Sequence, residues 1–164
     1  MNTPKRKNLR LPEYDYSQNG VYFLTVCTRD KQKLLWYDNT YPVGANSVRP
    51  ADIMLSAYGK IVKNAIQMIQ PTYGVAVKLD NYVIMPNHIH MLIAIDDCGR
   101  TLFAPTISRI VKQFKGVVTK QIGKSIWQRS FYDHIIRDEQ DYVEKWNYIE
   151  NNPARWLDDD LYVK

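Results

Sequence analysis

Two of the chain's three histidines, His88 and His90, stand two residues apart in the run Pro86-Asn-His-Ile-His-Met-Leu-Ile-Ala-Ile95. Residues i and i+2 of a strand point to the same face, so the two imidazoles project together. The intervening Ile89, with Met91, Ile93 and Ile95, lines the opposite face and suits burial under helices. The strand thus keeps one side for a core and gives the other two metal-capable nitrogens. Two ligands do not complete a site, and a pair of hydrogen-bonded or solvated histidines accounts for an isolated His-x-His equally well. A histidine-triad nucleotide hydrolase would need a third histidine where Leu92 stands. There is no HExxH, and Cys27 and Cys98 form no CxxC pair.

Near the C-terminus, Tyr148 and Asn152 are four residues apart on a helical pattern and share a face. At 100° per residue, Tyr142, Val143, Trp146 and Ile149 form one apolar stripe, with Tyr148 about 160° from its centre. A tyrosine off the core stripe is usually a half-exposed packing residue, and Asn152 before Pro153 reads equally well as a helix cap. As chemistry, a phenol is a nucleophile that conserves the energy of a phosphodiester bond in a covalent intermediate. Its pKa near 10 makes phenolate at pH 7 cost about 4 kcal/mol, a cost that nearby positive charge lowers.

The elements that must position these groups follow from periodicity. After a basic arm and the turn at Asn19-Gly20, Val21 to Thr28 reads as a buried strand. Residues from about Trp36 to Pro50 form a loop. A helix spans Ile53 or Leu55 to Ile69, with Tyr58, Ile61, Val62, Ala65, Ile66 and Ile69 on one stripe, and Pro71 stops it. Strands follow at Val75 to Met85 and His88 to Ile95, joined by the Pro86-Asn87 turn; 96 to 106 is a loop. A second helix runs from Ile107 to Ile122 and ends at Gly123. An irregular strand covers Ile126 to Ile136, and a third helix begins near Asp138 and ends by Pro153. The order βαββαβ plus one helix predicts an α+β, ferredoxin-like split-βαβ fold: an antiparallel sheet with two helices on one face and an extra C-terminal helix carrying Tyr148.

The chain has 164 residues, enough for one domain (a basic arm at 1–15 and a core at 16–157), and 45% hydrophobic residues suffice for a packed core. Its 22 Lys and Arg against 17 Asp and Glu favour polyanionic partners. The two cysteines suggest a reducing compartment, and no signal h-region or membrane-length apolar run is found, so the reading is cytoplasmic. On the second helix Arg109, Lys112, Lys115, Lys120 and Lys124 occupy the half opposite the apolar arc. With Lys5, Arg6, Lys7 and Arg10 of the arm, they are the candidate phosphate contacts for nucleic acid. His134 and Arg137 precede the third helix and are placed to approach the site, although His134 serves structure equally well.

Three linked segments carry a family resemblance: Asn81-Tyr-Val-Ile-Met-Pro-Asn-His-Ile-His-Met-Leu, Trp127-Gln-Arg-Ser-Phe-Tyr-Asp-His-Ile-Ile-Arg and Asn147-Tyr-Ile-Glu-Asn-Asn-Pro. Over roughly residues 15 to 157 the chain resembles the single-tyrosine HUH transposases of the IS200-like group, in the branch of REP-associated tyrosine transposases. The resemblance implies that His88 and His90 bind Mg²⁺ or Mn²⁺ with Asn152 as third ligand. It further implies that Tyr148 is the catalytic nucleophile and that the substrate is single-stranded, palindromic hairpin DNA. Imidazole ligands favour Mn²⁺ over Mg²⁺ on softness. A monomer and a dimer exchanging its tyrosine helix both remain open. So do two rival functions: a hairpin-binding protein without turnover, and a metal-dependent phosphodiesterase that uses water.

Overall fold

The computed structural model describes residues 19–37, 54–96 and 105–163. The basic arm with Lys5, Arg6, Lys7 and Arg10, most of the loop expected before residue 50, and Cys98 lie outside these residues.

Four strands form one antiparallel sheet: β1 (Gly20–Cys27), β2 (Val77–Ile84), β3 (His88–Ile95) and β4 (Tyr132–Ile135), in the order β2-β3-β1-β4. β1 and β2 are separated by β3, and β3 and β4 by β1, as the split-βαβ plan requires. Helices α1 (Ala57–Gln67) and α3 (Ile107–Ile122) pack on each other and on one face of the sheet. That face carries Tyr22, Leu24 and Val26 of β1 with Ile89, Met91, Ile93 and Ile95 of β3, all buried, as the alternation of β3 predicts. α1 begins at Ser56, whose hydroxyl accepts from the Gly59 amide at 3.0 Å and donates to the Leu34 carbonyl at 2.6 Å. Gly59 is required because any Cβ there would collide with the Leu35 carbonyl crossing over the helix.

The opposite face is also covered, which the sequence reading did not anticipate. α4 (Glu139–Asn151) and the following 3₁₀ turn, Pro153–Asp158, bring Ile149 and Trp156 onto Phe23, Leu92, Val83 and Met85. Trp156 is 2% exposed, and its truncation to Ala would cost about 3–5 kcal/mol. This second core fixes the tail that follows. α4 starts at Asp138, whose carboxylate accepts from the Asp141 amide at 2.8 Å.

Several boundaries differ from expectation. Pro71 does not end the helical segment: α1 stops at Gln67, and Pro71 sits in the first turn of a short α2 (Ile69–Tyr73), where no amide hydrogen bond is lost. The second strand starts at Val77 because Gly74–Ala76 forms a 3₁₀ turn. The fourth strand shrinks to Tyr132–Ile135, with Trp127 making only an isolated bridge to Thr28. Asn152 is the C-cap of α4, without the left-handed geometry usual for one. It keeps helical angles (φ −57°, ψ −44°) despite preceding a proline, and the chain continues into the turn that buries Pro153 and Trp156. Tertiary packing overrides the local preference. Val143 is 49% exposed and leaves the apolar stripe, while Tyr142 and Trp146 stay half-buried against the second core. Without Val143 the stripe centres closer to Ile149, and the angle from its centre to Tyr148 narrows from about 160° to about 130°.

A candidate active site between the histidine strand and the last helix

Strand register assembles the floor of the site. β1 pairs with β3 so that Cys27, Thr25 and Phe23 stand opposite His88, His90 and Leu92. β4 adds Tyr132 opposite Thr25 and His134 opposite Phe23. Directly opposed residues share a face, so this row lies on the side covered by α4. Along α4, Asp141, Lys145, Tyr148 and Asn152 recur at i, i+4, i+7 and i+11 and form the stripe that borders the floor.

Both histidines are buried, His88 at 0% and His90 at 3% exposure. The Asn87 amide nitrogen donates to the carbonyls of Leu161 (2.8 Å) and Lys31 (3.3 Å), so its oxygen is the atom facing His88 Nδ1 at 2.7 Å. His88 Nδ1 therefore carries the proton, and its Nε2 presents a lone pair. That lone pair faces His90 Nε2 at 3.0 Å. His90 Nδ1 lies 2.9 Å from Thr25 Oγ1, a hydroxyl able to donate or accept. Two arrangements satisfy these contacts: His90 Nε2–H donates to His88, or both Nε2 lone pairs converge on a cation while Thr25 accepts from Nδ1. Two nitrogens about 2.1 Å from one ion at a right angle stand about 3.0 Å apart, so the spacing fits the second arrangement without movement. Burial holds both imidazoles neutral, the state a ligand needs: His88 is lowered to about 3, by burial and then by the charge of Lys31, and His90 well below its usual value, by burial and then by His88.

A carboxylate completes the cluster. Asp159 Oδ2 lies 3.9 Å from His88 Nε2, and His88, His90 and Asp159 each offer a ligand atom within 4.8 Å of the others. Asn152 is 5% exposed, and its buried Oδ1 has no hydrogen-bond partner among the described residues. Two imidazoles and a carboxylate are a donor set for a divalent cation, and Asn152, whose side chain hydrogen-bonds Tyr148, brings a further amide oxygen that could join them.

Tyr148 meets this cluster within the same chain. Its ring packs edge-on against His90 at 5.2 Å and Phe23 at 5.8 Å between centroids, while the residue stays 44% exposed. Its phenol is raised above the ordinary tyrosine value by burial and then by the negative charge of Asp159, against a lowering hydrogen bond from Asn152. A cavity of about 420 Å³ opens beside it, lined by Lys145 of α4, Phe131 and Tyr132 among others.

Other expected site residues lie elsewhere. α3 covers the sheet face opposite the histidines, so Arg109, Lys112 and Lys120, all exposed, look away from the site. Lys115 is half-buried and donates to the carbonyls of Gln128 (2.9 Å) and Ser130 (3.0 Å); it shapes a loop and is not a free phosphate contact. His134 pairs with Asp141 at 2.8 Å and ties β4 to α4, a structural role. The sequence reading missed Asp159, Thr25, Asn87 and Lys145. Of these only Lys145 left a signal, as the cation one turn before Tyr148.

Fold and site together define a class: a split-βαβ domain whose strand-borne histidine pair faces a tyrosine on an added C-terminal helix. Comparison with known proteins narrows it. An uncharacterised protein of Haemophilus influenzae is 34% identical over 179 aligned positions, covering 96% of this chain and 93% of the relative. The REP-associated tyrosine transposase of Escherichia coli K12 is 26% identical, covering 85% of this chain and 70% of its own length. The solved structure of a REP-associated tyrosine transposase bound to a REP hairpin superposes with a TM-score of 0.60 at 22% identity, over 89% of this chain and 74% of that one. No family model matches. The chain belongs to the family of REP-associated tyrosine transposases.

Proposed function

We propose that the protein is a DNA strand transferase that cleaves and rejoins single-stranded hairpin DNA through a covalent 5′-phosphotyrosine at Tyr148. The observation that carries this reading is the contact of the Tyr148 ring with His90 in one chain, where His90 belongs to a cluster of two neutral imidazoles and a carboxylate. The relatives' names and the hairpin bound in the similar solved structure point to the substrate class.

The Tyr148 oxygen attacks the scissile phosphorus, a P–O(Tyr) bond forms, the P–O3′ bond breaks, and the phenol's proton is balanced by the one taken up at the 3′-hydroxyl. A returning 3′-hydroxyl reverses the step without external energy. His88, His90, Asn152 and Asp159 would hold a Mg²⁺ or Mn²⁺ ion, which supplies phosphate orientation, polarisation of its oxygens and relief of the carboxylate's charge on the phenol. The chain's own residues do the rest. Asn87 and Thr25 fix the imidazole rings. Phe23 and His90 hold the Tyr148 ring at a set angle. Burial, and after it the charge of Asp159, raises the Tyr148 phenol in the free protein. Because nucleophile and donors come from one chain, a monomer suffices. A groove of about 670 Å³ bordered by the exposed Arg29 and Arg129 shares Gln128 with the site cavity and offers a cationic path for the strand.

The test is incubation of a labelled single-stranded hairpin with the protein and Mn²⁺. A covalent protein–DNA adduct that disappears in Tyr148→Phe is expected. Free cleavage products from Tyr148→Phe would make the protein a water-using phosphodiesterase, and binding without adduct a hairpin-binding protein.

A further inference from the structure

The cavity beside Tyr148 is larger than the chemistry at one phosphate requires. Its accessible aromatic walls are Phe131 and Tyr132, with the buried Phe23, stacked on His90, at its floor, while Gln128 and Ser130 line it with side chains that have no hydrogen-bond partner among the described residues. A ligand for such a space is flat, has two aromatic faces and carries polar edges. Lys145 sits at the same cavity, one turn before Tyr148, and its ammonium pairs, among the described residues, with the adjacent Glu144 at 3.1 Å. Asp159 and Asp160 line another part of the cavity, so an anionic group is repelled there and drawn toward Lys145.

The wall at 128–131 is irregular, lying between the Trp127 bridge and β4. It is nevertheless fixed: one half-buried ammonium, Lys115, captures two of its carbonyls, and Lys115 also stands 5.8 Å from the Phe131 ring centre. Burial pushes the Lys115 ammonium below its ordinary value, and Phe131 of the same loop packs against the main core. A loop held this way presents a fixed surface to a ligand.

We infer that this cavity is a nucleobase slot. It takes the base of a nucleotide bordering the scissile phosphate between aromatic walls, reads its edge with Gln128 and Ser130, and anchors its phosphate on Lys145. Its position in the reaction rests on the strand-transfer reading above, whereas binding of a nucleotide does not. Stacking of one base on aromatic side chains is sequence-tolerant, so any base preference is set by Gln128 and Ser130.

The experiment titrates the protein, in chelator, with each of the four deoxynucleoside 5′-monophosphates and follows the backbone amides of residues 128 to 132 by NMR. Saturable shifts are expected in the wild type and in Tyr148→Phe, with one base preferred. Ser130→Trp, an exposed substitution that fills the slot without touching the core, should abolish them. Lys145→Ala should weaken binding by about tenfold, in the range of one charged phosphate contact, and Lys145→Arg should restore it. No saturable shift with any nucleotide, or shifts that survive Ser130→Trp, would overturn the slot. Adduct formation is a separate readout: nucleotide binding without an adduct keeps the slot and removes the transferase, and an adduct without nucleotide binding does the reverse.

Discussion

Removing the buried imidazole of His88 should change how stability depends on pH, and the size of the change follows from its surroundings. His88 is fully buried and lowered to about 3, against an unfolded value near 6.5. Below pH 6.5 the unfolded chain binds a proton that the folded chain refuses, so stability present above that pH is lost as pH falls, the loss being complete near pH 3. Each pH unit costs about 1.4 kcal/mol from this residue alone, or about 2 kcal/mol between pH 6.5 and pH 5, above the range where carboxylates titrate. Urea unfolding in chelator at half-unit steps from pH 7.5 to 5, for wild type and His88→Gln, isolates the effect. The difference between the two free energies should fall by about 2 kcal/mol across the window, whatever the offset at pH 7.5. Parallel curves would refute a buried neutral His88, and with it the claim that the histidine pair is preset as ligands.

Asn152→Leu removes an orphaned oxygen, so stability in chelator should change by less than about 1 kcal/mol, while the rise in Tm caused by excess Mn²⁺ should disappear in thermal melts. Asp159→Asn should lower the Tyr148 pKa, seen in the ultraviolet titration of the tyrosinate, and weaken Mn²⁺ binding in calorimetry. An unmoved Tyr148 titration would detach Asp159 from the site. Lys112→Ala should leave stability within about 0.5 kcal/mol, whereas Lys115→Met should cost about 1–3 kcal/mol by releasing Gln128 and Ser130, as urea unfolding will show.

The parts of this molecule legible in the sequence are those fixed by local periodicity. β3 was readable to the residue because Pro86-Asn87 marks the turn and alternate residues divide cleanly between Ile89, Met91, Ile93 and Ile95 on one side and the imidazoles on the other. α3 was readable because Thr106 caps it and Gly123, at φ 82°, ends it. Amphipathy told which side of α3 is wet. It did not tell that α3 covers the sheet face away from the histidines, so the exposed basic residues read there as phosphate contacts lie across the sheet from the histidine pair. Asp159 was illegible for a different reason. It enters through a 3₁₀ turn held down by Trp156, and a second core formed by Phe23, Leu92, Ile149 and Trp156 is a tertiary fact with no sequence period. The angle of Tyr148 from the core stripe was overstated because Val143, apolar but exposed, dragged the inferred stripe round the helix.

The most direct measurement of the central claim is peptide mass spectrometry of the protein after reaction with single-stranded hairpin DNA and Mn²⁺. The account predicts a nucleotide 5′-phosphate attached to the peptide containing Tyr148 and to that tyrosine alone. Attachment at Tyr132, which lines the same cavity and is 47% exposed, would contradict it.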